Sequence, residues 1–164
     1  MPTHDRHQCR HRLNELLRAE YACAGQLQSV LRAEADALLK RDLDGLERLV
    51  GDKHCLMQQF EQLDADKQRL LGEFGHGTDP TDIEACIAWC DDTGQLLRGW
   101  KSLLERVRAC QQQNRVNGVT LESSRRHAQH VLGILRGESP LPDLYSPAGT
   151  TTQPGAAGRS LAKA

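Results

Sequence analysis

The sequence predicts an all-α fold: an antiparallel helical hairpin of the coiled-coil kind, extended to a three- or four-helix bundle and followed by a disordered C-terminal tail. Three observations carry this. Leu, Ala, Glu, Gln and Arg dominate the first 136 positions and aromatics are only 4% of the 164 residues, the composition of long helices rather than of a sheet. Apolar residues between positions 13 and 74 recur at alternating spacings of three and four, and no segment alternates like a strand. From Ser139 onward the chain turns to Pro, Gly, Ser, Thr and Ala, with prolines at 140, 142, 147 and 154, a composition that cannot bury a core.

The hairpin spans residues 13 to 74. Its first arm carries Leu13, Leu17, Glu20, Ala24, Leu27, Leu31, Glu34 and Leu38, and its second Leu46, Leu49, Lys53, Leu56, Phe60, Leu63, Lys67, Leu70 and Phe74. The stripes face each other when paired residue numbers sum to 87. That register sets Glu20 against Lys67 and Glu34 against Lys53, so the two acids of one seam meet the two bases of the other, with the turn near Asp42, Leu43 and Asp44. Apolar partners supply the strength, roughly 1.5–3 kcal/mol for each buried Leu or Phe, against about 0.2–1 kcal/mol for a partly exposed ion pair. The charges select the register, because a slipped alignment leaves them unpaired in an apolar strip. The alternative for Lys53 and Lys67 is to snorkel to solvent.

A glycine-rich break, Gly75-His76-Gly77, precedes a third helix expected over about 80–115. Asp79 or Thr81 can cap it, Pro80 suits its first turn, and Asp82 and Glu84 favour the positive end of its dipole. Ile83, Ile87, Cys90, Leu97, Trp100, Leu104 and Val107 form its stripe, widened by Trp89, Leu96 and Leu103. Gly94 and Gly99 lie inside it at a cost of about 1 kcal/mol each relative to alanine, implying close packing or a bend. Asn114, Asn117 and Gly118 then read as a break. A fourth helix is expected over about 119–136, with Leu121, Ser124, Ala128, Val131 and Leu135 on its face and Gly137 as its stop. The organisation is therefore a helical domain over 1–137 and a tail over 138–164.

Charge and chemistry narrow the function. Residues 20–92 carry sixteen acids and seven bases, residues 93–126 two acids and seven bases, which reads as a basic arm laid along an acidic hairpin. The basic residues are not interleaved with glycines or stacking aromatics, so nucleic-acid binding is not indicated. Neither a secretion signal nor a run of eighteen apolar residues is present, and a soluble intracellular protein is expected. Six cysteines, at 9, 23, 55, 86, 90 and 110, are scattered singly through helical stretches and are expected to be free thiols. There is no nucleophile motif, phosphate loop or HExxH pattern, so no catalytic residues and no enzyme activity are expected. His4, His7, Cys9 and His11, joined by Cys86 and Cys90 one helical turn apart, are zinc-ligand types, but the tight CxxC knuckles usual for zinc are missing and the histidines fall in an N-terminus expected to fray. No metal and no cofactor are expected.

The segments Cys110-Gln-Gln-Gln-Asn114-Arg-Val-Asn117-Gly118, Leu132-Gly-Ile-Leu-Arg-Gly137, Leu144-Tyr145 with Gly149, and Gly158-Arg159-Ser-Leu-Ala-Lys-Ala164, together with the leucine-rich hairpin, resemble the FlgN family of bacterial flagellar export chaperones over nearly the whole chain. The resemblance implies a cytoplasmic chaperone, without catalytic activity, that holds the C-terminal segments of the hook-associated proteins FlgK and FlgL, prevents their premature assembly and delivers them to the type III export gate protein FlhA. It places client binding on Leu121, Ala128, Val131, Leu132 and Leu135, and gate docking on Tyr145. The competing readings are a self-associating coiled-coil subunit and a metal or redox sensor built on the cysteines.

Overall fold

The computed structural model describes residues 3–137. The expectations for the tail, including Tyr145, lie outside them. Four helices follow one another: α1 (Thr3–Lys40), α2 (Leu43–Glu73), α3 (Pro80–Cys90) and α4 (Gln95–Leu135). None is long and apolar enough to cross a membrane.

Helices α1 and α2 form the hairpin in the register that the sequence predicts. Lys67 Nζ donates to Glu20 Oε1 at 2.7 Å, and Lys53 donates to Glu34. Both partners of the first pair are buried, at 0% and 4% exposure, so Lys67 does not snorkel. Helix α1 starts ten residues before the predicted seam, because Cys9 and Leu13 are enclosed in the core that also contains Ile83, Cys86 and Ile87 of α3. The segment bearing His7 and His11 is therefore helix rather than a loose terminus.

The two ends of the hairpin helices close by the same backbone device. At the end of α1, Arg41 N–H bonds Leu38 O and Asp42 N–H bonds Ala37 O; at the end of α2, Gly75 N–H bonds Gly72 O and His76 N–H bonds Leu71 O. Each is a Schellman closure that needs a left-handed residue. Gly75 adopts φ +76° without strain, whereas at the other end Arg41 is held at φ +57°. Asp42 then caps α2 by accepting from Gly45 N–H at 2.9 Å.

The third element differs from its predicted bounds. The helix expected over 80–115 is interrupted at 91–94, and the break expected at Asn114–Gly118 is absent, α4 running unbroken from Gln95 to Leu135. The cause of the first difference is Asp91. Its Oδ2 accepts Leu96 N–H at 2.8 Å, and its Oδ1 accepts the Thr93 hydroxyl at 2.6 Å and the Thr93 N–H at 3.0 Å, so it ends one helix and organises the start of the next. Gly94 completes the turn at φ +70°. A side chain at Gly99 or Gly118 would meet nothing within 4 Å, so close packing does not account for either glycine.

The described residues divide into two compact units after Ser123. In the first, Leu13, Leu17, Ala24, Leu70 and Leu71 of the hairpin join Ile83 and Ile87 of α3 and Leu96, Trp100 and Leu103 of α4 in one core. The second contains the helical residues from Ser124 to Leu135.

Candidate functional site

Helix α4 is held to α1 by side chains that reach its backbone at a fixed offset. Cys110 Sγ donates to Ala24 O at 3.4 Å and Asn117 Nδ2 to Leu31 O at 2.8 Å, both at a separation of 86 residues, so the two helices run parallel. Asn117 also donates to Glu34 Oε2 at 2.7 Å and accepts from Gln113 at 2.9 Å. Glu34 is thus a junction, one oxygen serving Lys53 in α2 and the other Asn117 in α4. Further along the core, Lys67 Nζ lies 5.3 Å from the Trp100 ring centre and 2.8 Å from Asp64. Burial pushes the Glu20 carboxyl up, and Lys67 only partly opposes it. Arg106 stacks on Tyr21 at 3.8 Å, lying over Gly25 where a Cβ would come within 2.8 Å of the guanidinium.

Asn117 is the last buried residue of α4. Of the residues expected to bind a client, Leu121 belongs to the first unit and is 55% exposed. In the second unit Ala128, Val131, Leu132 and Leu135 are all exposed and fall within an arc of about 100° at the helical turn of 3.6 residues. Leu135 is 77% exposed. Val116, Val119 and Ile134 are also exposed but were not singled out from sequence, because they lie off the arc that the stripe occupies. The first unit also has an apolar groove of about 300 Å³ lined by Leu27, Leu31, Met57, Phe60, Val107 and Cys110, which periodicity could not reveal because three helices contribute to it.

No two cysteines are bonded among the described residues, and Cys55 is the exposed one. Three of the buried thiols converge: Cys9 of α1 with Cys86 and Cys90 of α3, their sulfurs all within 4.8 Å of one another and those of Cys9 and Cys86 at 3.6 Å. The ionisation of the three is uneven. Cys90 is lowered by its interactions with the Cys86 and Cys9 sulfurs, while the interactions of Cys9 with Cys86 and Cys90, with burial, push Cys9 well up. His7 and His11 do not join them; they line a separate recess with Arg10, Asn14, Gln95 and Leu96.

Comparison with known proteins places this architecture. A structure assigned as the flagella synthesis protein FlgN of Pseudomonas aeruginosa matches with a TM-score of 0.62 and 30% sequence identity, covering 69% of this chain and 88% of that one. Among curated proteins none matches. The sequence matches the FlgN protein family over residues 10–153, so the chain belongs to the FlgN family, whose role is that of a flagellar export chaperone.

Proposed function

We propose that this protein is a cytoplasmic export chaperone that holds the C-terminal segments of the hook-associated proteins FlgK and FlgL, keeps them from assembling early and delivers them to the export gate protein FlhA. The observation that carries the reading is the exposed apolar arc of Ala128, Val131, Leu132 and Leu135 in a chain of this family. A client segment that packs by helix association once assembled carries an apolar stripe, and an amphipathic helix can cover it by the helix-in-groove mode. Leu121 extends the same role, and Tyr145 serves the separate contact with the gate.

Titration of the full chain with client C-terminal segments tests the proposal. Val131 and Leu135 each contribute roughly 1.5–3 kcal/mol if fully covered, so replacing both by aspartate weakens binding by at least 100-fold while the hairpin stays folded. Retained affinity in that double variant moves the client site elsewhere. Tyr145→Ala leaves client affinity unchanged and lowers export; a loss of client affinity instead merges the two contacts. A stable self-assembly of the wild type on size separation that is abolished by the same double substitution, without client capture, favours a structural subunit.

A further inference from the structure

We infer that Cys9, Cys86 and Cys90 form a buried three-sulfur site for a soft d10 metal cation, with Cu(I) preferred over Zn(II). Three sulfurs bound to one cation at about 2.3 Å stand about 4 Å apart in a trigonal plane. The observed separations, 3.6 Å for Cys9 to Cys86 and no more than 4.8 Å for any pair, bracket that value, so binding needs only small side-chain adjustments. The geometry has a simple local origin. Cys86 and Cys90 are four apart and share one face of α3, and Cys9 of α1 meets that face from across the core.

The ligand set selects the ion. Thiolates favour Cu(I) and Zn(II) over hard cations. A structural zinc site takes four ligands, and among the described residues no fourth His, Cys, Asp or Glu joins the three. Cys9 and Cys86 are at 0% exposure and Cys90 at 8%, so the site is closed to bulk solvent as a source of a fourth ligand. A monovalent d10 ion is satisfied by three sulfurs. On binding, each S–H bond breaks as an S–Cu bond forms, three protons go to solvent, and the oxidation states of copper and sulfur are unchanged. Binding therefore strengthens as pH rises. Cys9 lies in the second turn of α1, so transient fraying of that helix end gives the ion a path in. The ordinary alternative is that the three cysteines are small apolar core residues.

The test uses the full chain with Cys55→Ser to remove the exposed thiol, reduced and free of oxygen, titrated with Cu(I) against a coloured Cu(I) chelator and in parallel with Zn(II). One equivalent of Cu(I) binds, X-ray absorption counts three sulfur neighbours, and the urea unfolding midpoint of the loaded protein rises. Cys86→Ala weakens binding at least 100-fold with the helical circular dichroism unchanged, while Cys110→Ala, at a buried thiol outside the cluster, leaves it unchanged. Absence of stoichiometric Cu(I) binding, binding that survives Cys86→Ala, fewer than three sulfur neighbours, or tight zinc without copper each overturns the site.

Discussion

Replacing Asn117 by alanine should loosen α4 from the hairpin more than any other single change on that helix outside the apolar core. Asn117 is 4% exposed and donates twice, to the Leu31 carbonyl at 2.8 Å and to the Glu34 carboxylate at 2.7 Å. A bond to a charged acceptor is worth about 1.5–3 kcal/mol and one to a neutral acceptor about 0.5–1.5 kcal/mol. Alanine returns a few tenths through better helix propensity, which leaves a net loss of about 1.5–4 kcal/mol. Asn114→Ala is the control. Its single bond comes from Lys53 at 3.5 Å on an exposed site, so the propensity gain dominates and stability is unchanged or slightly higher. Urea unfolding followed by circular dichroism measures both, and a double-mutant cycle of Asn117→Ala with Glu34→Gln should give a coupling of at least about 0.5 kcal/mol. Equal stabilities for Asn117→Ala and Asn114→Ala, or a coupling of zero, would refute the latch.

Three further outcomes follow from the polar core and the caps. Lys67→Met leaves Glu20 buried and unpaired and should cost about 3–5 kcal/mol, whereas Glu20→Leu with Lys67→Met should recover most of that or exceed the wild type; a double variant as weak as the single one in urea unfolding counts against the pair. Burial alone would push the Asp91 carboxyl up, but the Thr93 hydroxyl and the Leu96 and Thr93 N–H groups, with Arg10 at 3.6 Å, hold it below the usual carboxylate range. Its stabilisation is therefore complete above the unfolded value of about 4 and is lost as pH falls through the lower folded value; the advantage of wild type over Asp91→Asn should shrink below about pH 4 in acid titrations of unfolding, and a gap independent of pH would contradict the assignment. Arg41→Gly should stabilise by about 0.5–1 kcal/mol by relieving the left-handed strain at φ +57°, and a loss in thermal or urea melts would show that the arginine side chain contributes more than the strain costs.

What the sequence revealed and what it hid divide by distance along the chain. The hairpin register was legible because both seams are periodic and because their charges are few enough to pair in one way. The family was legible for a similar reason, since its marks are contiguous segments. Asn117 was misread because local statistics treat Asn-Gly as punctuation, while the acceptors that keep it in a helix lie 86 and 83 residues earlier. Asp91-Asp92-Thr93-Gly94 was a readable cap that the wide apolar stripe on either side concealed. The spacing of Cys86 and Cys90 was visible as one helical turn and ligand type grouped Cys9 with them, but nothing in the sequence distinguished Cys9, which α1 delivers to that place, from His7 and His11, which it does not.

The offset of 86 between α1 and α4 also sets the order in which the molecule can come together. The hairpin closes over short separations, whereas Cys110 and Asn117 complete their bonds to α1 only after the chain has grown by 86 residues. The hairpin is complete once Glu73 is made, so at about 5–20 residues per second on the ribosome it waits roughly 2–9 s for Asn117 of its parallel neighbour. During that interval Glu34 already has Lys53 on one oxygen and keeps the other for water, so a carboxylate that later becomes buried is never left bare. A neutral residue in its place would give the nascent hairpin a stickier surface at the stage when it is most open to wrong partners.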